Sequence, residues 1–272
     1  MRRLMLAALL ILAPAAAVAG DRYPRQDIRF GLRAAPDSFA AVAEALESRP
    51  CDPANPVGLT LALPKAWAAS PDWPAFDAAV AAAREGRARL CVTTALPDGP
   101  EDEATLAYLA TLSDHAGEWA DALGLSLRRS ELSETLQADP DRLALTLKRL
   151  TASLRGESDA LILVGDIAEE DLPLLAPLYE RDLRAYVEGY ASEAAGPAGE
   201  PSEEVVRSLE MRHLGAPLLL HLPRVEKPIA AQLLVLASAS RGVTYTDVAA
   251  GDPASVWEGL VRLRSLLSPR RA

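Results

Sequence analysis

Eight short apolar runs, each followed by a segment with helical periodicity, constrain the fold of this chain more than any other feature. The runs are rich in strand-forming residues, and the segments between them repeat apolar residues at the spacing of an amphipathic helix. Parallel strands that are covered on both faces read as nearly continuous apolar runs. Eight strand–helix units in about 250 residues predict an α/β fold, a single parallel (βα)8 TIM barrel.

The predicted strands are Asp27–Leu32, Val57–Leu63, Ala88–Ala95, Ala122–Leu127, Ala160–Val164, Ala185–Glu188, Pro217–Leu222 and Val243–Val248. The predicted helices are Phe39–Ser48, Trp73–Glu85, Asp102–Trp119, Asp139–Arg155, Glu169–Arg181, Glu203–Leu214, Lys227–Ser240 and Pro253–Leu267. An open doubly wound sheet is the alternative fold. A nucleotide-binding sheet of that kind needs a glycine-rich turn after a strand, and neither G-x-G-x-x-G nor G-x-x-x-x-G-K-[ST] occurs. The connection Ala191–Pro201 is either a mobile lid over the barrel or a tolerated insertion.

The first twenty residues have the layout of a secretory signal peptide. Two arginines precede the apolar run Leu4–Val18, and Ala17 and Ala19 form an A-x-A-like cleavage signal. We therefore predict a signal peptide at residues 1–20, a barrel domain at residues 21–272, and export to the periplasm or the cell exterior. An uncleaved anchor is the alternative, but the run is short for a span of about 20 residues.

The net charge of the chain limits the partners that it can bind. The chain has 38 acidic and 28 basic residues and a net charge of −10. An acidic protein is repelled by nucleic acid and by anionic lipid, so we expect neither nucleic acid nor, after signal cleavage, a membrane as a partner.

Export permits a disulfide between Cys51 and Cys91, which neighbouring strands would bring close together. Two separate buried thiols are the alternative.

The sequence lacks the motifs of several kinds of catalytic site. Histidine occurs only at His115, His213 and His221, without H-x-H or H-E-x-x-H, so no metal site is expected. No G-x-S-x-G nucleophile elbow is present, and we expect no cofactor. His221 lies near the end of the seventh predicted strand, where it either meets a ligand or makes a hydrogen bond at the barrel mouth.

Acidic side chains at strand ends are the remaining candidates for catalysis. Active sites of such barrels lie at the C-terminal ends of the strands, and Asp166, Glu188 and Asp247 stand at or just beyond those ends. Glycoside hydrolysis needs two carboxyl groups on either side of the scissile bond. We therefore consider Glu188, with Asp166 or Glu131, as the catalytic pair. Hydrogen bonds to loop amides, or helix capping, are the alternative roles for such acids.

Other side chains near the predicted mouth suit ligand binding. Trp67 follows the second strand, where it either lines a groove, since a flat ring covers the apolar face of a sugar, or packs in the core or against a loop. Arg128 and Arg224 would favour an anionic ligand such as a uronate, a carboxylate or a phosphate, unless they pair with the nearby acids. Tyr245 and the acid Asp247 belong to the eighth strand and complete the predicted binding set.

Three segments resemble retaining glycosidases of clan A. Asp139–Gly165 is similar to the helix and strand that follow the acid/base loop of that clan. Ile229–Val243 resembles the helix after its seventh strand, and Val243–Asp252 resembles its last strand. The resemblance implies a (βα)8 barrel that acts on carbohydrate.

The two catalytic positions of the clan are not matched. Where the clan has Asn-Glu after strand four, this chain reads Gly124–Arg129, and the first acid is Glu131. Where the clan has its nucleophile after strand seven, this chain reads Leu220–Arg224. Two hypotheses follow, an exported carbohydrate-active enzyme with relocated carboxylates, and a non-catalytic barrel that binds a glycan, a small anionic ligand or a protein partner.

Overall fold

The structure is a computed structural model that describes residues 29–96, 100–155, 159–195, 200–213, 216–238 and 243–267. The predicted signal peptide lies outside these residues, so its assignment stays a prediction. Among the helices in the described ranges, none combines the length and the apolar character that crossing a membrane requires.

Eight parallel strands close into one barrel, in which each strand pairs with the next and the last pairs with the first. The strands are β1 Phe30–Ala34, β2 Gly58–Leu63, β3 Arg89–Thr94, β4 Ala120–Ser126, β5 Leu161–Gly165, β6 Gly189–Glu193, β7 Leu218–Val225 and β8 Tyr245–Ala250. The predicted single parallel barrel is confirmed. Because the strands run parallel, all eight C-terminal ends meet at one mouth.

Helices lie outside the barrel and bury its outer surface. They are α1 Phe39–Ser48, α2 Lys65–Ala69, α3 Trp73–Glu85, α4 Glu103–Ala116, α5 Glu134–Ala138, α6 Pro140–Arg155, α7 Leu172–Glu180, α8 Glu203–Arg212, α9 Pro228–Ser238 and α10 Pro253–Leu267. The side chains of Asp72, Ser133 and Ser202 cap α3, α5 and α8 by accepting a hydrogen bond from a first-turn amide. The short helices α2 and α5 were not predicted from the sequence.

The sixth strand lies four residues later than predicted, so the prediction of Ala185–Glu188 is wrong. Leu183–Ala185 forms a 3-10 turn, and pairing with β5 begins only where Gly189 stands beside Leu163. The segment Ala185–Glu188 has the composition of a strand because Val187 is apolar, but Val187 packs in the core before the strand begins. The proposed lid Ala191–Pro201 therefore starts inside β6, and its residues 196–199 lie outside the described part of the chain.

Side chains alternate between the two faces of the barrel wall. Leucines of β2, such as Leu59 and Leu61, are fully buried in the core under the helices. The interior face carries small and polar residues together with Leu163 and Leu219, and an added Cβ at Gly31 or Gly58 would meet the phenol oxygen of Tyr245 at 2.0 and 2.1 Å. The ring of Tyr245 therefore fills the barrel interior beside these glycines, and polar groups reach the upper part of the barrel.

The two cysteines are separate buried thiols rather than a disulfide. Cys51 lies before β2, and Cys91 packs inside the barrel with Leu163, Ala191 and Leu219. Burial raises the pKa of both thiols. The two cysteines lie on different sides of the barrel wall, so they do not staple neighbouring strands.

Candidate active site

A cleft of about 450 Å³ opens at the C-terminal mouth of the barrel. Residues from the ends of all eight strands, or from the turns that follow them, line it. The ionisable side chains among them are Arg33, Lys65, Arg128, Asp166, Glu193 and His221. A mouth cleft with several converging charged groups is where this fold places ligands.

A buried histidine–aspartate pair forms the floor of the cleft. His221 Nδ1 lies 2.8 Å from Asp247 Oδ1, and the Asp247 side chain is 0% exposed. A carboxylate can only accept, so Nδ1 carries the proton and donates it to Asp247. The other ring nitrogen, Nε2, is left as the basic atom of the neutral ring.

Arg33 supports this pair from β1. Its Nε lies 3.7 Å from Asp247 Oδ1, and its guanidinium donates to the carbonyl of Leu222 at 3.1 Å. Burial alone would raise the pKa of Asp247, but the charge that His221 carries when it is protonated, the hydrogen bond from His221 and the charge of Arg33 outweigh it and lower that pKa. Asp247 therefore stays ionised at neutral pH inside the barrel.

Asp166 faces the other nitrogen of His221. Its Oδ1 lies 3.7 Å from Nε2, which is too long for a hydrogen bond. Asp166 follows β5 directly and has a φ of 57°, a left-handed conformation that aspartate tolerates better than most residues. This backbone turn brings the carboxylate into the mouth, where its side chain is 25% exposed.

Arg128 joins the acids on the opposite side of the cleft. It donates to Glu193 Oε1 at 2.7 Å, and its Nε lies 4.0 Å from Asp166 Oδ2. The guanidinium thus lies between the ends of β5 and β6, and both carboxylates have a cationic neighbour. Among the described residues, no group of three or more His, Cys, Asp and Glu side chains forms a metal site.

The structure brings four of the predicted site residues together. Arg128, Asp166 and His221 line the cleft, and Asp247 lies directly behind His221. Tyr245 belongs to the same strand as Asp247 but lies deeper inside the barrel, where its hydroxyl is fully buried. The predicted catalytic and binding roles of these residues stay predictions.

Three other predicted site residues lie elsewhere, which corrects their placement at the mouth. Glu188 precedes β6 and accepts from the amide of Ile162 at the start of β5, so it lies at the opposite end of the barrel. Trp67 is buried against Phe39 and other aromatic side chains of the outer core. Arg224 follows a register shift in β7, and its side chain is 67% exposed beside Glu226.

The side chain of the third predicted acid, Glu131, is outside the described part of the structure. Its backbone closes a 3-10 turn, Arg129–Glu131, that follows β4. Sequence reasoning missed Glu193 as a residue of the cleft because the sixth strand was placed too early. Arg33 and Lys65, which stand at the ends of the first two strands, were not among the predicted site residues.

Comparison with known proteins gives a fold and no family. No protein family matches the sequence, and no curated protein does either. Among solved structures, deoxyribose phosphate aldolase from Aeropyrum pernix is 15% identical with a TM-score of 0.50, over 90% of this chain and 96% of that one. CdNal from Clostridium difficile, solved with mannosamine, is 13% identical with a TM-score of 0.51, over 88% of this chain and 74% of that one. A 3-keto-D-glucoside 4-epimerase from E. coli is 11% identical with a TM-score of 0.51, over 88% of this chain and 99% of that one.

At these identities the likeness shows the fold alone, a single parallel α/β barrel of the kind found in these enzymes. The resemblance of the sequence to clan A glycosidases predicted the same barrel, and that part is confirmed. The activity implied by the resemblance stays a prediction.

Proposed function

We propose that this protein is an acid–base enzyme that acts on a small polar molecule, such as a sugar or a sugar acid, at the mouth of its barrel. The observation that carries the proposal is the fixed geometry of His221, whose Nδ1 is held by buried Asp247 while the ring lines the cleft. An imidazole with one nitrogen bonded to a carboxylate and the other accessible is suited to proton transfer.

The arrangement defines a route for one proton. Nε2 of His221 takes the proton from a substrate hydroxyl or from an acidic carbon, and the ring becomes an imidazolium. Ionised Asp247, 2.8 Å from Nδ1, stabilises that cation without taking its proton. Returning the proton to the product restores neutral His221. Asp166, 3.7 Å from Nε2, is placed to accept a hydrogen bond from a substrate group at the same position.

The charges that line the cleft favour a substrate with an anionic group. Arg33, Lys65 and Arg128 face the acids Asp166 and Glu193, so cations outnumber acids on the lining even though the whole chain is acidic. Guanidinium groups bind carboxylates and phosphates through paired hydrogen bonds. A sugar acid or a sugar phosphate meets both the hydroxyl and the anionic requirement.

Two-carboxylate glycoside hydrolysis fits this mouth less well. The general acid of that mechanism is a carboxyl group that stays protonated, which burial or a neighbouring carboxylate promotes. Here Arg128 lies between Asp166 and Glu193 and forms an ion pair with each, so neither carboxylate has the apolar or like-charged surroundings of such an acid. Asp247 has no direct access to the cleft because it lies behind His221.

The second candidate function is binding without chemistry. It is favoured by Arg128, which occupies the space between the two cleft acids as in a settled ion-pair network. In that case the barrel recognises a glycan, an anionic molecule or a protein partner outside the cytoplasm. Export itself is part of the proposal, carried by the arginines, apolar run and A-x-A-like signal of residues 1–20.

The test is a panel of free sugars, sugar acids and sugar phosphates, screened by thermal shift and calorimetry and then by proton NMR for conversion or deuterium uptake. The His221→Gln variant should still bind the ligand, and its conversion rate should be about 10²–10⁴-fold lower than that of the wild type. His115→Gln is the matched control, since His115 stacks on Trp73 outside the barrel.

Conversion by His221→Gln at the wild-type rate would refute the acid–base role. Binding by the wild type with neither conversion nor deuterium uptake would favour the second candidate function. If no compound of the panel binds the wild type, that result would count against both candidate functions.

A further inference from the structure

A group of polar atoms lies sealed in the barrel beneath the His221–Asp247 pair. Asp247 Oδ2, Thr60 Oγ1 and the phenol oxygen of Tyr245 are all buried, and within the described ranges none has a hydrogen-bond partner in the protein. Leaving such groups unsatisfied is costly, so proteins supply them with partners, including ordered internal water.

The three atoms belong to one small region. Thr60 comes from β2, and its hydroxyl lies close enough to Asp247 and Tyr245 to oppose a rise in the pKa of each, yet it forms no hydrogen bond of normal geometry with either. The phenol of Tyr245 lies across Gly31 and Gly58, where a Cβ would stand 2.0 or 2.1 Å from its oxygen. The glycines therefore bring the hydroxyl of Tyr245 to the side of the barrel that carries Thr60.

Because none of the three atoms has a hydrogen bond of normal geometry with another, one additional donor and acceptor among them can satisfy all three. The carboxylate oxygen can only accept, while the two hydroxyls can each donate and accept. A water molecule among them can donate to Asp247 Oδ2 and bond both hydroxyls, which satisfies the two to four polar partners that a buried water needs.

We propose that Thr60, Tyr245 and Asp247 form a binding site for one internal water, and that Thr60 is a positioning residue that acts on His221 through this water and Asp247. The water holds Oδ2, so the carboxylate cannot turn and Oδ1 stays directed at Nδ1 of His221. For its catalytic meaning the proposal rests on the proposed function, but the water site itself does not.

The charged groups around the pair are shared unevenly between the two oxygens of Asp247. His221 from β7 and Arg33 from β1 both approach Oδ1, and Asp166 faces only the far nitrogen of His221. On the inner side the titratable neighbours of Tyr245 are Cys91 from β3 and Asp121 from β4, along with Asp247 itself. The inner side thus presents acids and neutral groups, so a donor to Oδ2 has to come from a hydroxyl or from water.

The test compares Thr60→Val with Thr60→Ser in the full-length chain. Valine keeps the shape of threonine and removes the hydroxyl, whereas serine keeps the hydroxyl. The matched control is Thr246→Val, which removes another buried hydroxyl that lacks a partner among the described residues, from the neighbouring position of β8 on the opposite face. High-resolution crystal structures and NMR contacts between long-lived water and Tyr245 locate the water, and ¹⁵N shifts report the ring of His221.

We expect the water in the wild type, in Thr60→Ser and in Thr246→Val, and its loss in Thr60→Val. In Thr60→Val the ¹⁵N shifts of His221 should move and the carbon-detected titration of Asp247 should shift to higher pH, because the carboxylate loses a donor. A direct bond without water, or unchanged His221 signals in Thr60→Val, would overturn the proposal. If these signals change and no ligand binds at the mouth, the water site stands and the proposed function fails.

Discussion

Asp247→Asn tests the electrostatics of the barrel mouth, because asparagine keeps the shape of the side chain and removes its charge. The amide oxygen still accepts from His221 Nδ1, but the attraction to Arg33 across 3.7 Å disappears. With an effective dielectric constant of about 20, two unit charges at this distance attract by about 4–5 kcal/mol. Release of the several kcal/mol that burying a carboxylate costs offsets about half of that.

We therefore expect Asp247→Asn to lower the free energy of unfolding by about 2 kcal/mol at pH 7, which is about 4–8 °C in Tm for a domain of this size. The sign of the pH dependence follows from the lowered pKa of Asp247 in the folded protein. The stability that Asp247 contributes is complete above its ordinary pKa of about 3.9 and is lost as the pH falls through the lowered value.

Thermal unfolding followed by circular dichroism between pH 2.5 and 7 measures both effects. The difference between wild type and Asp247→Asn should shrink at the acid end, where the native wild type also becomes protonated. Asp114→Asn, on the exposed face of α4, is the matched control and should change little at any pH. Equal stability of wild type and Asp247→Asn at pH 7, or a difference that persists unchanged in acid, would refute this reasoning.

Three further outcomes are expected. Gly58→Ala should lower the free energy of unfolding by about 1–3 kcal/mol, because the new Cβ meets the ring of Tyr245, and it should cost less in a Tyr245→Ala background when both are measured by denaturant unfolding. Glu188→Gln should leave ligand binding at the mouth unchanged in calorimetry, because this acid lies at the other end of the barrel. Cys51 and Cys91 should react with a thiol reagent at pH 8 much more slowly in the native protein than in denaturant, since burial raises both pKa values.

The barrel was predictable because its signal is repeated eight times. Seven of the eight predicted strands overlap the observed ones, and the helices α1, α3 and α10 begin and end where periodicity places them. The sixth strand was misplaced because a buried Val187 in a turn has the same local composition as a strand residue. Composition alone cannot distinguish the two, since the choice depends on pairing with β5.

Site residues could be predicted from the sequence only where the end of a strand was placed correctly. Arg128, Asp166, His221 and Asp247 were placed near the mouth because they stand at or just after the ends of correctly placed strands. Glu193 was missed because the sixth strand was placed too early. Thr60 was missed because the strands were read as continuous apolar runs, although leucines alternate with Gly58, Thr60 and Ala62 along β2. That alternation marks the inward face, and reading it would have directed Thr60 into the barrel.

The misplaced residues failed for separate physical reasons. Trp67 follows β2 closely, but the short helix α2 turns it into an aromatic cluster with Phe39 and Phe76. Arg224 lies within a register shift between Leu222 and Val225, where its side chain is exposed beside Glu226. These departures from the predicted positions depend on tertiary packing, and the spacing of residues in the sequence does not predict them.

The proposed acid–base role depends most on which nitrogen of the neutral His221 ring carries the proton. In ¹⁵N NMR of the wild type, the neutral ring should carry its proton on Nδ1, bonded to ionised Asp247, and present a bare Nε2 to the cleft. Asp247→Asn should weaken this preference. A neutral ring with its proton on Nε2 would mean that Nδ1 accepts from a protonated Asp247, and it would contradict the proposed acid–base role of His221.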